Sequence, residues 1–433
     1  MSTLRAWTLA LCLLFAAGLA SAQETYTFSG TSPSGGAFEG SLRVVPVSPT
    51  EKRIVATRVF ANGTTDEVEG PAAISGSNLI VSTGLLAVGG STNFTVQFES
   101  PTQVALRGTQ WGLARGTKTT VWNSEQALAQ PSTLAQLEAR FAKVELNSFV
   151  GAEGKRVAYA RLRADNPRGA IVFSVGRTES ATKYAELIWD LRGMGYSFYL
   201  LEHRGQGRSE RLLGDQRHHV ERYEYWVDDL EQFLTEVVRP DNPPKLYGWG
   251  HSMGGGILAR HLEVYPGTFD AAVLSAPMIG LQLTWWEKVA VRFQILIGKK
   301  KKYAKGKGDY DPSANTFATN QTTSSQARFD FKTARWNADA SLWLGGPTYG
   351  WVRQANRMSG ALKRHAKKIT TPTLLFQAQD EAFVKLKDQE KFAKKAPQVT
   401  LEAYPGARHE LLLESDAIRD QALTRALDWF AQH

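Results

Sequence analysis

Two patterns of apolar and polar positions divide the chain. From residue 23 to about 122, apolar and polar residues alternate over short runs such as Arg53 to Phe60, Asn93 to Phe98 and Thr117 to Trp122, with turn signals at Asn62-Gly63 and Gly89-Gly90 between them. A period of two belongs to strands with one face in a core, so residues 23–122 are expected to form a small all-β domain, sandwich-like in packing. No set of chemically reactive side chains gathers there. Asn123 to about Leu137, with Pro131 and several Ala and Gln, reads as a linker or short helix over 123–140.

Beyond residue 141 the pattern changes to short apolar runs alternating with longer stretches of helical period. Ala170 to Val175 is a strand; Tyr184, Leu187, Ile188 and Leu191 then recur at helical spacing until Gly193 and Gly195. Ser197 to Leu201 is the next strand, followed by a helix from about Glu221 to Val238 that ends at Pro240. Further strands fall at Lys245 to Trp249, Ala271 to Leu274, Thr373 to Phe376 and Val399 to Ala403, and a last helix starts near Asp416. This alternation predicts a mostly parallel sheet with helices on both faces over residues 141–433. The interval of about 278–368 breaks it, as an insertion would.

Gly250-His251-Ser252-Met253-Gly254 matches G-x-S-x-G and stands directly after a strand and before a helix. In that setting the serine occupies a sharp turn, and glycines two positions to either side let strand and helix approach. The motif in this context predicts an α/β-hydrolase fold with Ser252 as nucleophile. A serine hydroxyl is a weak nucleophile near neutral pH and needs a histidine base, which comes last in the chain in this fold. His409, just beyond the last strand, meets that demand; His203, His218, His219, His251, His261, His365 and His433 are expected in other roles. A carboxylate after the strand Thr373 to Phe376 should orient the imidazole. Asp380 and Glu381 are adjacent candidates, and Glu381 is preferred because it stands three residues before Val384. The oxyanion formed on attack would rest on the backbone N–H of Met253 and on a second amide from the loop after an earlier strand.

Taken together, the chain resembles the bacterial lysophospholipases, which stand close to the monoacylglycerol lipases among the serine α/β-hydrolases. The resemblance is carried by Gly176-Arg177 with Lys183-Tyr184-Ala185-Glu186, by His203-Arg204-Gly205-Gln206-Gly207-Arg208-Ser209, by the serine motif and by Gly406-Ala407-Arg408-His409-Glu410. Within the insertion it is carried by Tyr303, Gly306, Gly308, Asn320, Thr323, Ser325, Arg328 and the run Gly345 to Trp351. It covers about Phe141 to the C-terminus. Gly176-Arg177 stands where many relatives have His-Gly, which assigns the second oxyanion amide to Arg177. The resemblance implies hydrolysis of a fatty acyl ester of a single-chain lipid, with the insertion as a lid and neither a metal nor an organic cofactor. Three departures stand out: Glu381 where many relatives have Asp, Glu202 where Asp is common, and the β-rich segment, which the typical member lacks.

The first residues add a location. One positive residue, Arg5, precedes an apolar run from Leu9 to Leu19 and then Ala20-Ser21-Ala22, the pattern of a cleaved export leader over residues 1–22. The run is shorter than the roughly 20 residues that span hydrocarbon. Cys12, the sole cysteine, lies inside it, so the mature protein would hold no disulfide or thiol site. Periplasmic or secreted residence is expected.

Of the 433 residues, 51 are Lys or Arg and 42 Asp or Glu, a net charge of +9 that favours anionic surfaces. Lys299 to Lys302, with Lys305 and Lys307, follow an apolar stretch holding Trp285, Trp286, Phe293, Ile295, Leu296 and Ile297. That pairing suits an acyl chain beside an anionic headgroup, or equally a packed lid helix with a solvated basic loop. Peripheral contact with an anionic membrane is thus an expectation. Nucleic-acid binding is not, since no fold for it is recognisable. A monoacylglycerol lipase or general carboxylesterase would share the same catalytic set. The reading from another class is a non-catalytic envelope-binding protein, against which the full set of serine, histidine and acid argues. The oligomeric state stays open.

Overall fold

The computed structural model describes eight strands within residues 24–119, and then residues 122–433 apart from 165–166 and 193. The expected leader, the turn signals Asn62-Gly63 and Gly89-Gly90, and Gly193 lie outside the described residues. The chain divides into two compact units, one ending at Trp122 and the other running from Asn123 to His433.

The first unit is an antiparallel meander of β1 (Glu24–Thr31), β2 (Ala37–Pro46), β3 (Glu51–Phe60), β4 (Thr65–Ser75), β5 (Asn78–Leu86), β6 (Ser91–Ser100), β7 (Gln103–Gly108) and β8 (Gly112–Thr119). Its ends meet: β1 pairs with β8 from Thr25 opposite Thr119 to Thr31 opposite Leu113, so the sheet closes into a barrel. This corrects the sandwich expected from sequence. Alternation fixes which side chains point inward, and it does so here for Tyr26, Phe28, Phe38, Leu42, Val44, Ile54, Ala56, Val96 and Leu106, all buried. It is silent on whether the first strand finds the last, because a barrel and a sandwich share the same period. Arg58 joins the buried face, its guanidinium carbon 5.4 Å from the Phe38 ring centre.

The second unit is built on an eight-stranded sheet. Its strands are β9 (Glu145–Val150), β10 (Arg156–Leu162), β11 (Gly169–Ser174), β12 (Tyr196–Glu202), β13 (Leu246–His251), β14 (Ala271–Ser275), β15 (Thr373–Ala378) and β16 (Val399–Tyr404), in the order β16-β15-β14-β13-β11-β12-β10-β9. From β12 to β16 every pairing is parallel, while β10 runs antiparallel to β12 and to β9. Strands β11 to β15 are buried at every residue, as expected for a parallel sheet covered on both faces. The mostly parallel α/β fold read from the sequence is the fold observed.

Helices α1 (Glu125–Leu128) and α2 (Pro131–Phe141) realise the short-helix alternative for 123–140 in place of a linker. Leu128 and Leu137 are buried against Ala185 and Phe331, so this segment belongs to the α/β unit. Then come α3 (Ala185–Asp190), α4 (Glu224–Phe233) and α5 (Ser252–Val264). α4 does not end at Phe233 but widens into a π turn over Leu234–Val238 and a tight turn over Arg239–Asp241 that contains Pro240. The insertion between β14 and β15 carries α6 (Trp285–Leu296), α7 (Gln326–Asn337) and α8 (Tyr349–His365); α9 (Leu386–Lys395) and α10 (Asp416–Gln432) complete the unit.

Arg328 on α7 is the main polar tie of the insertion. Fully buried, it donates to both Glu186 oxygens at 3.1 Å, to the carbonyls of Glu414 at 2.6 Å and Asn123 at 2.8 Å, and to Asp416 at 2.8 Å. Removing one member of such a set leaves buried charge without a partner, which costs about 3–5 kcal/mol. Arg328→Met is therefore expected to lower the unfolding free energy by about that amount in a denaturant titration. A loss below about 1 kcal/mol would show that water replaces these ties.

Candidate active site

Strand β13 ends at His251, and Ser252 follows with φ of 51° as α5 begins. A left-handed conformation at a residue other than glycine costs on the order of 1–3 kcal/mol and persists only where its surroundings enforce it. Here they do. A Cβ on Gly254 would fall 2.0 Å from the Ser174 carbonyl oxygen, and one on Gly250 would fall 2.7 Å from the Gly255 Cα. Both positions must stay bare for α5 to pack on β11 and β13.

His409 arrives on the loop after β16. Two backbone amides fix that loop on both sides: Arg408 N–H donates to the Glu414 carboxylate at 2.9 Å, and Glu410 N–H to the Thr322 carbonyl at 2.8 Å. The imidazole Nε2 lies 2.7 Å from Ser252 Oγ and Nδ1 lies 2.6 Å from Glu381 Oε2. With Nδ1–H donating to the carboxylate, Nε2 is left to accept the serine proton. Glu381 Oε1 accepts the amides of Phe383 at 2.7 Å and Val384 at 3.3 Å, the second being the residue whose spacing favoured Glu381. Burial pushes the Glu381 carboxyl up, but the hydrogen bond and charge of His409 and the two amides outweigh it and hold it below the usual value. Asp380 is exposed, and its backbone amide is bonded to the Ala407 carbonyl at 2.9 Å. The structure thus brings Ser252, His409 and Glu381 together and leaves Asp380 outside.

Beside Ser252, the Met253 amide lies in the first turn of α5, where N–H groups have no intrahelical acceptor. The Arg177 amide has no hydrogen-bond partner among the described residues. The Arg177 guanidinium turns toward the insertion, donates to the Gly345 carbonyl and stands 5.8 Å from the Trp351 ring centre. Burial lowers its pKa to about 10, with Tyr303 offsetting part of the effect.

A buried ionic chain lies behind these groups, and sequence reasoning gave its members no chemical role. Glu179 accepts the Gly176 amide at 2.6 Å, the Tyr184 hydroxyl at 2.6 Å and Lys183 Nζ at 2.5 Å, and its other near neighbour is His251 Nε2 at 3.4 Å. Lys183 also reaches Glu410 at 3.1 Å, and Glu410 accepts Lys332 Nζ from α7 at 2.6 Å. Burial opposes ionisation of Glu179, yet Lys183 and His251 outweigh it, so the carboxyl sits below its ordinary value; Glu410 is held well below by Lys183 and Lys332 in the same way. Ligand atoms of Glu179, His251 and Glu410 lie within 4.8 Å of one another, the spacing of a metal site. Lys183 already bridges the two carboxylates as their counter-cation. Residues Lys183, Tyr184 and Glu410 were visible as part of the family resemblance; their meeting across more than 220 positions was not.

Three of the other histidines hold structure. His203 bonds Ser174 Oγ at 2.8 Å, and burial lowers its pKa to about 3; His261 bonds Glu231 at 2.7 Å; His219 bonds Thr348 at 2.8 Å. Glu202, the departure before His203, accepts the amides of Ala181 at 2.7 Å and Arg208 at 2.5 Å and so ties the loops after β11 and β12. The longer Glu does this while packed against Gly207, where a Cβ would fall 2.4 Å from its carboxylate.

Residues 165–416 match the family model described as serine aminopeptidase, S33. Lysophospholipase L2 of Escherichia coli K12 is 34% identical over 333 residues, covering 72% of this chain and 95% of that protein. A monoacylglycerol lipase of Mycolicibacterium smegmatis is 27% identical over 292 residues, covering 66% of this chain and 97% of that protein. Among solved structures, a soluble variant of monoglyceride lipase from Saccharomyces cerevisiae in complex with a substrate analog matches with a TM-score of 0.54 at 23% identity, covering 67% of this chain and 94% of that one. That last likeness speaks to the fold.

The crowding at the turn can be tested directly. Gly254→Ala is expected to displace α5 from β11, lower the melting temperature and slow covalent labelling of Ser252 by a fluorophosphonate about 10²-fold, the effect of a misplacement near 1 Å. Labelling at the unaltered rate would show that the turn tolerates the added methyl group.

Proposed function

Because the chain belongs to the serine aminopeptidase S33 family of α/β-hydrolases, we propose that it is a lipid-ester hydrolase that releases the fatty acyl group of a single-chain lipid through an acyl-enzyme. The observation that carries this reading is the 2.7 Å contact between His409 Nε2 and Ser252 Oγ, with Glu381 on the far side of the ring. In the first half-reaction the Ser252 proton passes to Nε2 as Oγ bonds to the ester carbonyl carbon. The carbonyl electrons move onto oxygen, which the amides of Met253 and Arg177 stabilise. Collapse breaks the bond to the alcohol oxygen, which leaves with the proton from Nε2. Water then repeats the sequence on the acyl-serine and yields the free fatty acid and Ser252.

A lysophospholipid is the preferred substrate class, supported by the 34% identity to lysophospholipase L2 over nearly its whole length. A monoacylglycerol or a simple carboxylic ester would use the same chemistry and differ in the alcohol that leaves. The insertion serves as the lid in this reading. Trp285, Trp286, Val289, Phe293 and Leu296 stand exposed on α6, and Lys299, Lys301 and Lys302 are exposed on the loop after it, which supports peripheral contact with an anionic membrane. The leader pattern at residues 1–22 supports export to the periplasm or beyond.

Ser252→Ala and His409→Ala should each lower kcat by about 10⁴-fold or more on a panel of lysophospholipid, monoacylglycerol, short nitrophenyl ester and aminoacyl anilide. Near-normal turnover in either variant rejects the catalytic assignment, and a preference for the anilide rejects the ester reading. A folded wild type that fluorophosphonate fails to label would revive the non-catalytic binding protein. Protein recovered from the periplasm or medium should begin at Gln23 on N-terminal sequencing; an intact Met1 there would reject the leader.

A further inference from the structure

Apart from the serine, α6, α8 and Tyr223 border an open hollow of about 320 Å³ lined also by the exposed Arg292, Arg357 and Arg364 with Asn356 and Gly360. Its chemistry is one-sided. The side chains of Arg292 and Arg364 make no ion pair or hydrogen bond among the described residues, and Arg357 pairs with Glu224 at 4.0 Å. The adjoining recess adds Lys288 and Arg353. The fully buried arginines of this unit are paired instead: Arg204 with Asp229, Arg328 with Glu186 and Asp416, Arg419 with Asp190. Arg292 and Arg364, which have no counter-ion among the described residues, and Arg357, which has only Glu224 at 4.0 Å, form a receptor for an oxyanion, for which the planar fork of arginine is suited.

Two details make the hollow a site. On α8 the lining residues fall at 353, 356–357, 360 and 364, a spacing that puts them on one helix face. In the middle of that face stands Gly360, where an added Cβ would have no neighbour within 4 Å. Glycine inside a helix costs roughly 1 kcal/mol against alanine, and no packing contact here requires it. What the missing side chain provides is room between the arginines.

The position of Arg292 identifies where the anion comes from. At roughly 100° per residue, Trp285, Trp286, Val289, Phe293 and Leu296 span an arc of roughly 100° on α6, with Arg292 roughly 20° and Lys288 roughly 60° beyond its edge. Trp285 is 77% exposed and Leu296 82%. Uncovered apolar side chains beside unpaired cations reproduce the order of a lipid monolayer, acyl chains below and phosphates above. We infer that the cavity between α6 and α8 is a binding site for a phosphate oxyanion, presented by the headgroup of an anionic glycerophospholipid, at a place separate from Ser252.

The site rests on the lining cations, and it rests on the lipid reading above only for the source of the phosphate. The test uses the full chain with Arg292→Gln and Arg364→Gln combined, and a charge-matched control with Lys391→Gln and Lys394→Gln, exposed on α9. Co-sedimentation is measured with vesicles of phosphatidylcholine alone and of phosphatidylcholine with phosphatidylglycerol, and glycerol 3-phosphate is titrated by calorimetry. The arginine pair is expected to lower partition onto phosphatidylglycerol vesicles about tenfold or more, and the lysine pair clearly less. Hydrolysis of a short nitrophenyl ester should stay at the wild-type rate in both. Arginine-dependent binding of glycerol 3-phosphate in solution would support the oxyanion site and move its ligand to a soluble phosphate ester. Equal losses in the two variants would reduce the effect to net charge and overturn the site, as would no loss in the arginine pair. A wild type inert toward every ester but bound to vesicles through these arginines would remove the proposed function and leave the site standing.

Discussion

The α/β unit is organised around a serine held where serine does not rest by preference. Its φ of 51° is sustained by the close approach of β11, β13 and α5, and that approach requires bare Cα positions at 250 and 254. The same closeness brings the Ser174 carbonyl, the first turn of α5 and the loop after β11 into one small volume. In the proposed reaction, the two amides assigned to the oxyanion and the hydroxyl that creates it therefore share a single source of rigidity. The strain and the preorganisation are one property of one turn.

The second support is electrostatic. Glu179, Lys183, Glu410 and Lys332 alternate in sign through the interior and join the loop after β11, the turn before α3, the histidine loop and α7 of the insertion. Each carboxylate has a cation within hydrogen-bond distance, so the chain fixes the backbone of the histidine loop without adding net charge beside it. A lone carboxylate at the position of Glu179 would bind the Gly176 amide equally well. It would also repel the charge that develops a few residues away.

Much of this was legible in the sequence, for reasons that differ by element. The parallel sheet announced itself because its strands are buried on both faces and its helices keep a 3.6-residue period. Ser252 and His409 stood out because the motif and the chain order required by the fold are local facts. The choice between Glu381 and Asp380 turned on one spacing, whose physical basis is the Val384 amide donating to the Glu381 carboxylate. Barrel closure was hidden because it depends on a pairing between residues nearly a hundred positions apart. The segment 123–140 looked like a connector because its apolar residues are few; Leu128 and Leu137 nevertheless find a pocket formed by α3 and α7. The cavity arginines were scattered through two helices, and only folding gathers them round Gly360.

Asn123 decides how the chain can be dissected. Its amide donates to Asp190 at 2.7 Å, its side chain to Glu186 at 3.0 Å, and its carbonyl receives Arg328. A clone of the hydrolase alone that began at the first sheet strand would discard those ligands and uncover the surface that α1 and α2 shield. The sensible cut for expressing the catalytic portion lies ahead of Asn123, and the two short helices travel with the enzyme as part of its minimal form.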